Sequence, residues 1–247
     1  IVVYYYIVAD NYNPVSGSNT ITVNKATAKP VVSMNDYTYA GTVSEPSISG
    51  VNEDATVTYY YSSENKTTGG IKWENITNTT LDAGDYFMYA EVAATSNYEA
   101  VVTDAVSFKV NKAQGFVNLV NDTGSMTYGT DKHSFVIDST HGGEIILTSK
   151  VGGTNVGNAT LGNDGNTVTV TGLGSLSAGT IVTVTVTSAE NTNYLEASAT
   201  YTLTINSVSG VTLVVTLPES SYVYDGESKT PTPTSVTANG TTLNSSD

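Results

Sequence analysis

Asn193-Tyr-Leu-Glu-Ala-Ser-Ala-Thr-Tyr-Thr-Leu-Thr-Ile-Asn206 holds both features that decide the fold. Its second half, Thr200 to Ile205, alternates hydroxyl-bearing and apolar side chains, the period of a strand with one face on a core and the other in water. Its start is one of three Asn-Tyr dipeptides. Asn11-Tyr12, Asn97-Tyr98 and Asn193-Tyr194 recur at spacings of 86 and 96 residues, and each is followed 13 or 14 residues later by Asn24, Asn111 or Asn206. A strand copied together with its flanking signature is a repeat, and a repeat sets the architecture before any single element is assigned.

A second signature fixes the register upstream in each copy: Tyr37-Thr-Tyr39-Ala-Gly41, Met126-Thr-Tyr128-Gly129 and Tyr222-Val-Tyr224-Asp-Gly226, with the middle tyrosines 89 and 96 residues apart. The two signatures together predict complete repeats over 27–112 and 113–207, the C-terminal part of a repeat over 1–26, and the N-terminal part of another over 208–247. Ile1 aligns with Phe87 and Asp247 with Ser62, so the chain reads as a fragment of something longer. The alternative is that partial repeats of neighbouring chains complete each other head to tail, as donated strands do. Such a pair would still omit the equivalent of residues 63 to 86, Trp73 among them, and this ranks the alternative behind truncation.

Period-two runs occur throughout, and no stretch shows the apolar spacing of an amphipathic helix. In Ile181-Val-Thr-Val-Thr-Val186 the valines are expected on one side and the threonines on the other. The corresponding strands of the first complete repeat are Thr56 to Tyr61, Asp85 to Ala93 and Val101 to Val110. Gly69-Gly70, Gly152-Gly153 and Asn163-Asp-Gly-Asn166 supply the turn chemistry between them. Short strands at this spacing, all β, predict a sandwich of about 85 to 95 residues per repeat, large enough for one core. The links Val23-Asn-Lys-Ala26, Val110-Asn-Lys-Ala113 and Ile205-Asn-Ser-Val208 are short and lack glycine. They predict a semi-rigid, rod-like array.

Composition removes several function classes. Nine lysines against 23 acidic residues give a formal charge of -14. The lysines are scattered, and nucleic acid is excluded as a partner because counter-ion release needs clustered cations. An anionic membrane surface would repel the chain. Apolar runs such as Ile181 to Val186 are too short and too rich in threonine to insert into a bilayer. The chain has no cysteine.

The first complete repeat carries Tyr59-Tyr-Tyr61, Trp73, Leu81-Asp-Ala-Gly84, Tyr86 to Tyr89, Asn97-Tyr98 and Phe108-Lys-Val-Asn-Lys-Ala113. These residues resemble the bacterial immunoglobulin-like tandem repeats of large secreted or wall-anchored, adhesin-type surface proteins. The Tyr224-Asp-Gly226 head resembles the related Tyr-Asp-Gly type. The second complete repeat departs from the pattern, with Glu144-Ile-Ile-Leu147 and a Gly-rich segment in place of the tryptophan and the tyrosine triplet. The resemblance implies tandem immunoglobulin-like sandwiches on the outside of a bacterium, serving as a non-catalytic stalk or spacer. The alternative is an adhesion module that binds host or environmental glycans, mucin included.

Exposed aromatics are the residues able to serve that alternative, since a ring offers a flat apolar face and a tyrosine adds a hydroxyl. Tyr59, Tyr60, Tyr61 and Trp73 are therefore the candidate ligand-binding residues, with Tyr60 facing away from Tyr59 and Tyr61 by strand alternation. His133 and His141 lie near Ser134, Asp131 and Asp138. No nucleophile elbow accompanies them, and both are expected in a solvated loop or at a strand end, with a metal site as the alternative, rather than in a catalytic triad. Calcium is the ion best suited to an acidic surface module. The acids fall in short pairs such as Asp82 with Asp85, which turns favour without a metal, so the expectation is no cofactor. Lys109 is expected to point to solvent, opposite Phe108, rather than to form an internal cross-link to asparagine.

Overall fold

A computed structural model describes residues 1–210 and 212–243, so residue 211 and residues 244–247 of the C-terminal head fall outside the described residues. The chain is all-β. Its strands are β1 (Val2–Ile7), β2 (Val15–Thr20), β3 (Val31–Ser33), β4 (Tyr37–Thr38), β5 (Ser47–Ser49), β6 (Val57–Ser62), β7 (Ile71–Lys72), β8 (Gly84–Val92), β9 (Val101–Val102), β10 (Val106–Asn111) and β11 (Val117–Leu119). They continue as β12 (Thr123–Thr127), β13 (His133–Thr140), β14 (Ile145–Val151), β15 (Thr154–Asn155), β16 (Asn158–Leu161), β17 (Thr167–Thr171), β18 (Ile181–Ser188), β19 (Ala197–Asn206), β20 (Leu213–Thr216), β21 (Ser235–Ala238) and β22 (Thr241–Thr242). Two compact units result: residues 1–115 with 189–197, and residues 116–188 with those from 198 onward.

In the first unit a sheet ordered β4-β10-β8-β6-β7, with β9 also on β8, faces the two-stranded sheet β3-β5. Val32 of β3 and Ile48 of β5 pack into one core with Tyr61, Leu81, Met88, Phe108 and Val110. The neighbours of β8 are antiparallel, whereas β4 joins the free edge of β10 in parallel. The chain changes sheet between β3 and β4 at Asn35-Asp36, where the Asp36 carboxylate accepts the Lys109 backbone N–H at 2.8 Å.

The expected single strand from Val101 to Val110 is two strands. Thr103 N–H donates to the carbonyl of Ala90, and Ala90 N–H donates to the Thr103 hydroxyl, both at 2.9 Å. A side chain thus takes the place of a ladder bond, and the next residues restart the ladder as β10. Within β10 the alternation holds: Phe108 and Val110 are buried, and Lys109 faces solvent.

In the second unit the sheets are β11-β13-β17-β16 and β12-β19-β18-β14-β15. Val182, Val184 and Val186 are fully buried while the threonines between them are half-buried, as the period of two requires. Each buried valine contributes about 1.5–3 kcal/mol of hydrophobic stabilisation before entropy is subtracted. Against them lie Phe135, Ile137, Val168, Val170, Leu203 and Ile205. Ile145 to Val151 pairs with β18 where Val57 to Ser62 pairs with β8, so the apolar run replaces the tyrosine triplet in its structural role. Gly152 and Gly153, with φ of 54° and 91°, close the β14–β15 hairpin in the left-handed region that a two-residue turn demands.

The sheets nearest the two ends of the chain are small. β1 and β2 form a two-stranded hairpin on which Val2, Val3, Tyr4, Tyr6 and Ile7 are exposed. Leu213, Val214 and Val215 are exposed on the β20-β21-β22 sheet.

Candidate functional site

Strand alternation separates the candidate aromatics. Tyr59 and Tyr61 turn inward on β6 and join Trp73, Tyr86 and Phe108 around the core of the first unit. The Tyr61 ring meets Trp73 edge-on at 5.8 Å, Trp73 meets Phe108 edge-on at 5.9 Å, and Tyr86 stacks on Phe108 at 5.6 Å. The backbone N–H of Trp73 donates to the Tyr59 carbonyl at 2.9 Å, which holds the residue beside that cluster. These four rings are packed against one another, in the offset and edge-to-face geometries that their quadrupoles favour.

Tyr60 turns outward. One face of its ring lies on Tyr89, with centroids 5.2 Å apart and planes 11° from parallel. Its hydroxyl donates to a Glu91 carboxylate oxygen at 3.1 Å. Loss of solvation raises the Tyr60 phenol above its usual range, and the Glu91 hydrogen bond and charge add to the rise. Tyr89, although on the same side of the sheet, is covered: its hydroxyl accepts the Gly70 N–H at 2.9 Å and Tyr60 lies over its ring. The outward face therefore offers one ring and one carboxylate beside an open groove bordered by Thr56, Thr58, Val101 and Val102.

The histidines are corrected from solvated to hydrogen-bonded positions, His133 half-buried at the start of β13 and His141 buried just past its end. His133 Nε2 lies 2.7 Å from the Tyr201 hydroxyl, and burial pushes its pKa below the usual value. Tyr201 in turn stacks on Phe135 at 4.0 Å. His141 is buried; Phe116 N–H donates to its Nδ1 at 3.1 Å, and its Nε2 lies 3.4 Å from the Ser188 hydroxyl. Ser134 bonds Thr169, so none of these contacts joins a serine, a histidine and an aspartate into a triad. The missed signal was parity: His133, Phe135 and Ile137 share one face of β13.

Two of the acidic residues at turns, Asp82 and Asp164, have protein partners. Asp82 accepts a hydrogen bond from the Asn193 amide at 2.8 Å. Asp164 accepts from the Thr167 hydroxyl at 2.5 Å and from the backbone N–H groups of Asn166 and Thr167, and these bonds bring its carboxyl down to about 2. Among the described residues no group of three or more histidine, aspartate or glutamate side chains gathers as metal ligands would. No helix among them is long and apolar enough to cross a membrane.

The sheet order defines the class: tandem immunoglobulin-like β-sandwiches, in which the successive strands β3 and β4, like β11 and β12, enter different sheets. Solved structures that align with the chain include an I-band fragment of titin (13% identity, TM-score 0.30, 74% of this chain and 67% of that one). Immunoglobulin domains 1–5 of Sidekick-1 align at 17% identity and TM-score 0.28, over 77% of this chain and 40% of theirs. A SusE-like, surface-located polysaccharide binding protein from the Bacteroides thetaiotaomicron heparin utilisation locus aligns at 10% identity and TM-score 0.28, over 87% and 45%. No protein-family model and no curated protein matches the sequence.

Proposed function

We propose that this chain is a non-catalytic spacer, a run of immunoglobulin-like repeats in the extracellular part of a bacterial surface protein of adhesin type. The observation that carries the reading is the placement of the aromatics. Tyr59, Tyr61 and Trp73 are packed against the core of the first unit, so three of the four candidate aromatics serve the fold and only Tyr60 turns outward. The short links between repeats favour a stiff array over a loose one.

Tyr60 supports a second reading, in which its half-buried outward ring and Glu91 bind a sugar. Both readings are tested by binding the full chain, and its Tyr60→Ala variant, to an array of mucin glycans and plant polysaccharides. Silence across the array is expected for a spacer. Saturable binding that disappears in Tyr60→Ala overturns the spacer in favour of a glycan-binding module.

The spacer needs no cofactor, and millimolar calcium is expected to leave its melting temperature unchanged; a rise of several degrees would reinstate a calcium site. The exposed apolar strands β1 and β20 favour some association of partial repeats between chains. Sedimentation at rising concentration tests this, and a monomer throughout would end it.

A further inference from the structure

Residues 189–197 belong to the first compact unit, and what they touch there links the two signatures that define the repeat. Asn193, from the Asn-Tyr signature of one copy, accepts the Ala83 N–H on its Oδ1 at 2.8 Å and donates from Nδ2 to Asp82 Oδ1 at 2.8 Å. Tyr194 meets Tyr39, the second tyrosine of the Tyr-x-Tyr signature of the other copy, edge-on at 5.5 Å. Lys112 closes the side of the contact, donating to Glu190 at 2.8 Å and to the Asn191 carbonyl at 2.6 Å. A primary amide paired with one donor and one acceptor is directional in a way that a single salt bridge is not.

The same turn is formed at Thr95–Tyr98, against which no Xaa-Ala-Gly loop lies among the described residues. Asn191 Oδ1 accepts the N–H groups of Asn193 and Tyr194, and Thr95 Oγ1 accepts those of Asn97 and Tyr98 in the equivalent places. The carbonyls of Tyr194 and Tyr98 close the two turns by accepting from Asn191 and Thr95, each at 3.0 Å. Ala113 and Ala26 bridge Tyr194 and Tyr98 in parallel fashion. Tyr98 is 36% exposed. In the second unit Tyr128 donates its N–H to Asn206 as Tyr39 does to Asn111, and Tyr128 is 51% exposed. Ser177-Ala178-Gly179 stands there in place of Asp82-Ala83-Gly84.

We propose that the Asn-Tyr turn is a docking element that recognises the Xaa-Ala-Gly loop and the second Tyr-x-Tyr tyrosine of another copy of the module. Asn97-Tyr98 on the first unit, and Tyr128 with Ser177–Gly179 on the second, are then open halves of the joint that Asn193 and Asp82 have closed. The partner is a further module of the same kind, and a second copy of this chain carries both halves. The arrangement is heterologous, so it extends rather than closes. A joint to Ser177 is weaker than one to Asp82, because a hydroxyl oxygen accepts less strongly than a carboxylate.

Hydrogen exchange on the full chain tests the closed joint. In Asn193→Ala the Ala83 amide is expected to exchange about tenfold faster or more, with the core amide of Val184 unchanged as the reference for global unfolding. Asn97→Ala is expected to leave Ala83 as it was. An Ala83 amide indifferent to Asn193→Ala overturns the docking element. The open halves are tested by chemical shifts of the full chain up to millimolar concentration in 0.5 M salt, which screens the net charge of -14. Concentration-dependent movement at Asn97, Tyr98, Tyr128 and Ala178, abolished in Asn97→Ala, is expected; shifts that stay fixed there overturn the second half. Neither result depends on whether the chain is a spacer or binds glycans.

Discussion

Gly124 lies so close beneath Tyr201 that a Cβ built on it would collide with the phenolic oxygen and stand 3.1 Å from His133 Nε2. Strand β12 can pass over the Tyr201–His133 pair only because this position has no side chain. Gly124→Ala must therefore break the 2.7 Å contact or move β12 off β19. We expect a loss of about 2 kcal/mol or more, the scale of core overpacking, read as a lowered denaturation midpoint at constant slope. Stability equal to the parent would show that the phenol moves aside freely.

Tyr37 gives the opposite sign. Its hydroxyl is buried with no hydrogen-bond partner among the described residues, and burial, aided by the charges of Tyr86 and Tyr61, pushes its pKa up to about 12. Tyr37→Phe keeps the ring in the core and removes the unsatisfied group. A gain of about 1 kcal/mol is expected in urea denaturation, and a loss of that size would reveal a partner for the hydroxyl.

His133 makes stability depend on pH in the weakly acidic range. Burial lowers its pKa in the folded protein, so below the unfolded value of about 6.5 the unfolded chain binds the proton more readily. Stability from this group is complete above about pH 6.5, declines as pH falls, and levels off below the folded pKa. His133→Gln is expected to flatten that segment of the stability–pH curve; an unchanged slope would assign it to other groups.

Asp164 acts in a lower window. Its carboxyl is held at about 2, first by the Thr167 hydroxyl and then by the backbone N–H groups of Thr167 and Asn166. Stability from this turn is present above the unfolded value and lost as pH falls from about 4 towards 2. Asp164→Ala is expected to remove that part of the acid dependence and to speed exchange of the Thr167 amide. An unaltered acid limb would mean that the β16–β17 turn holds without its carboxylate.

Most of the sandwich was legible because two rules are local. Alternation assigned Val182, Val184 and Val186 to the core and Tyr60 to the opposite face from Tyr59 and Tyr61, since successive side chains on a strand must point apart. Gly152-Gly153 marked a hairpin because only such residues enter the left-handed region cheaply. The same parity rule, applied to His133, Phe135 and Ile137, would have turned His133 inward. For His133 position on the strand decides, not residue type, whereas His141 lies just past the end of β13, where the parity rule does not reach. The break at Thr103 was not legible, because a threonine that replaces a ladder bond looks like any strand threonine until its partner, Ala90, is known.

By itself the sequence determined that modules repeat, that they are built of strands, and which side of each strand is apolar. These follow from periodicities within a few residues or from copies of one stretch. Tertiary structure alone decided which residues far apart in the chain meet: β4 beside β10 in parallel, His133 under Tyr201, Trp73 over Tyr61, and Asn193 on Asp82. Those pairings depend on how whole sheets stack. The amide, phenol and imidazole groups involved carry no local mark of their partners, because each could be satisfied equally well by water until packing removes it.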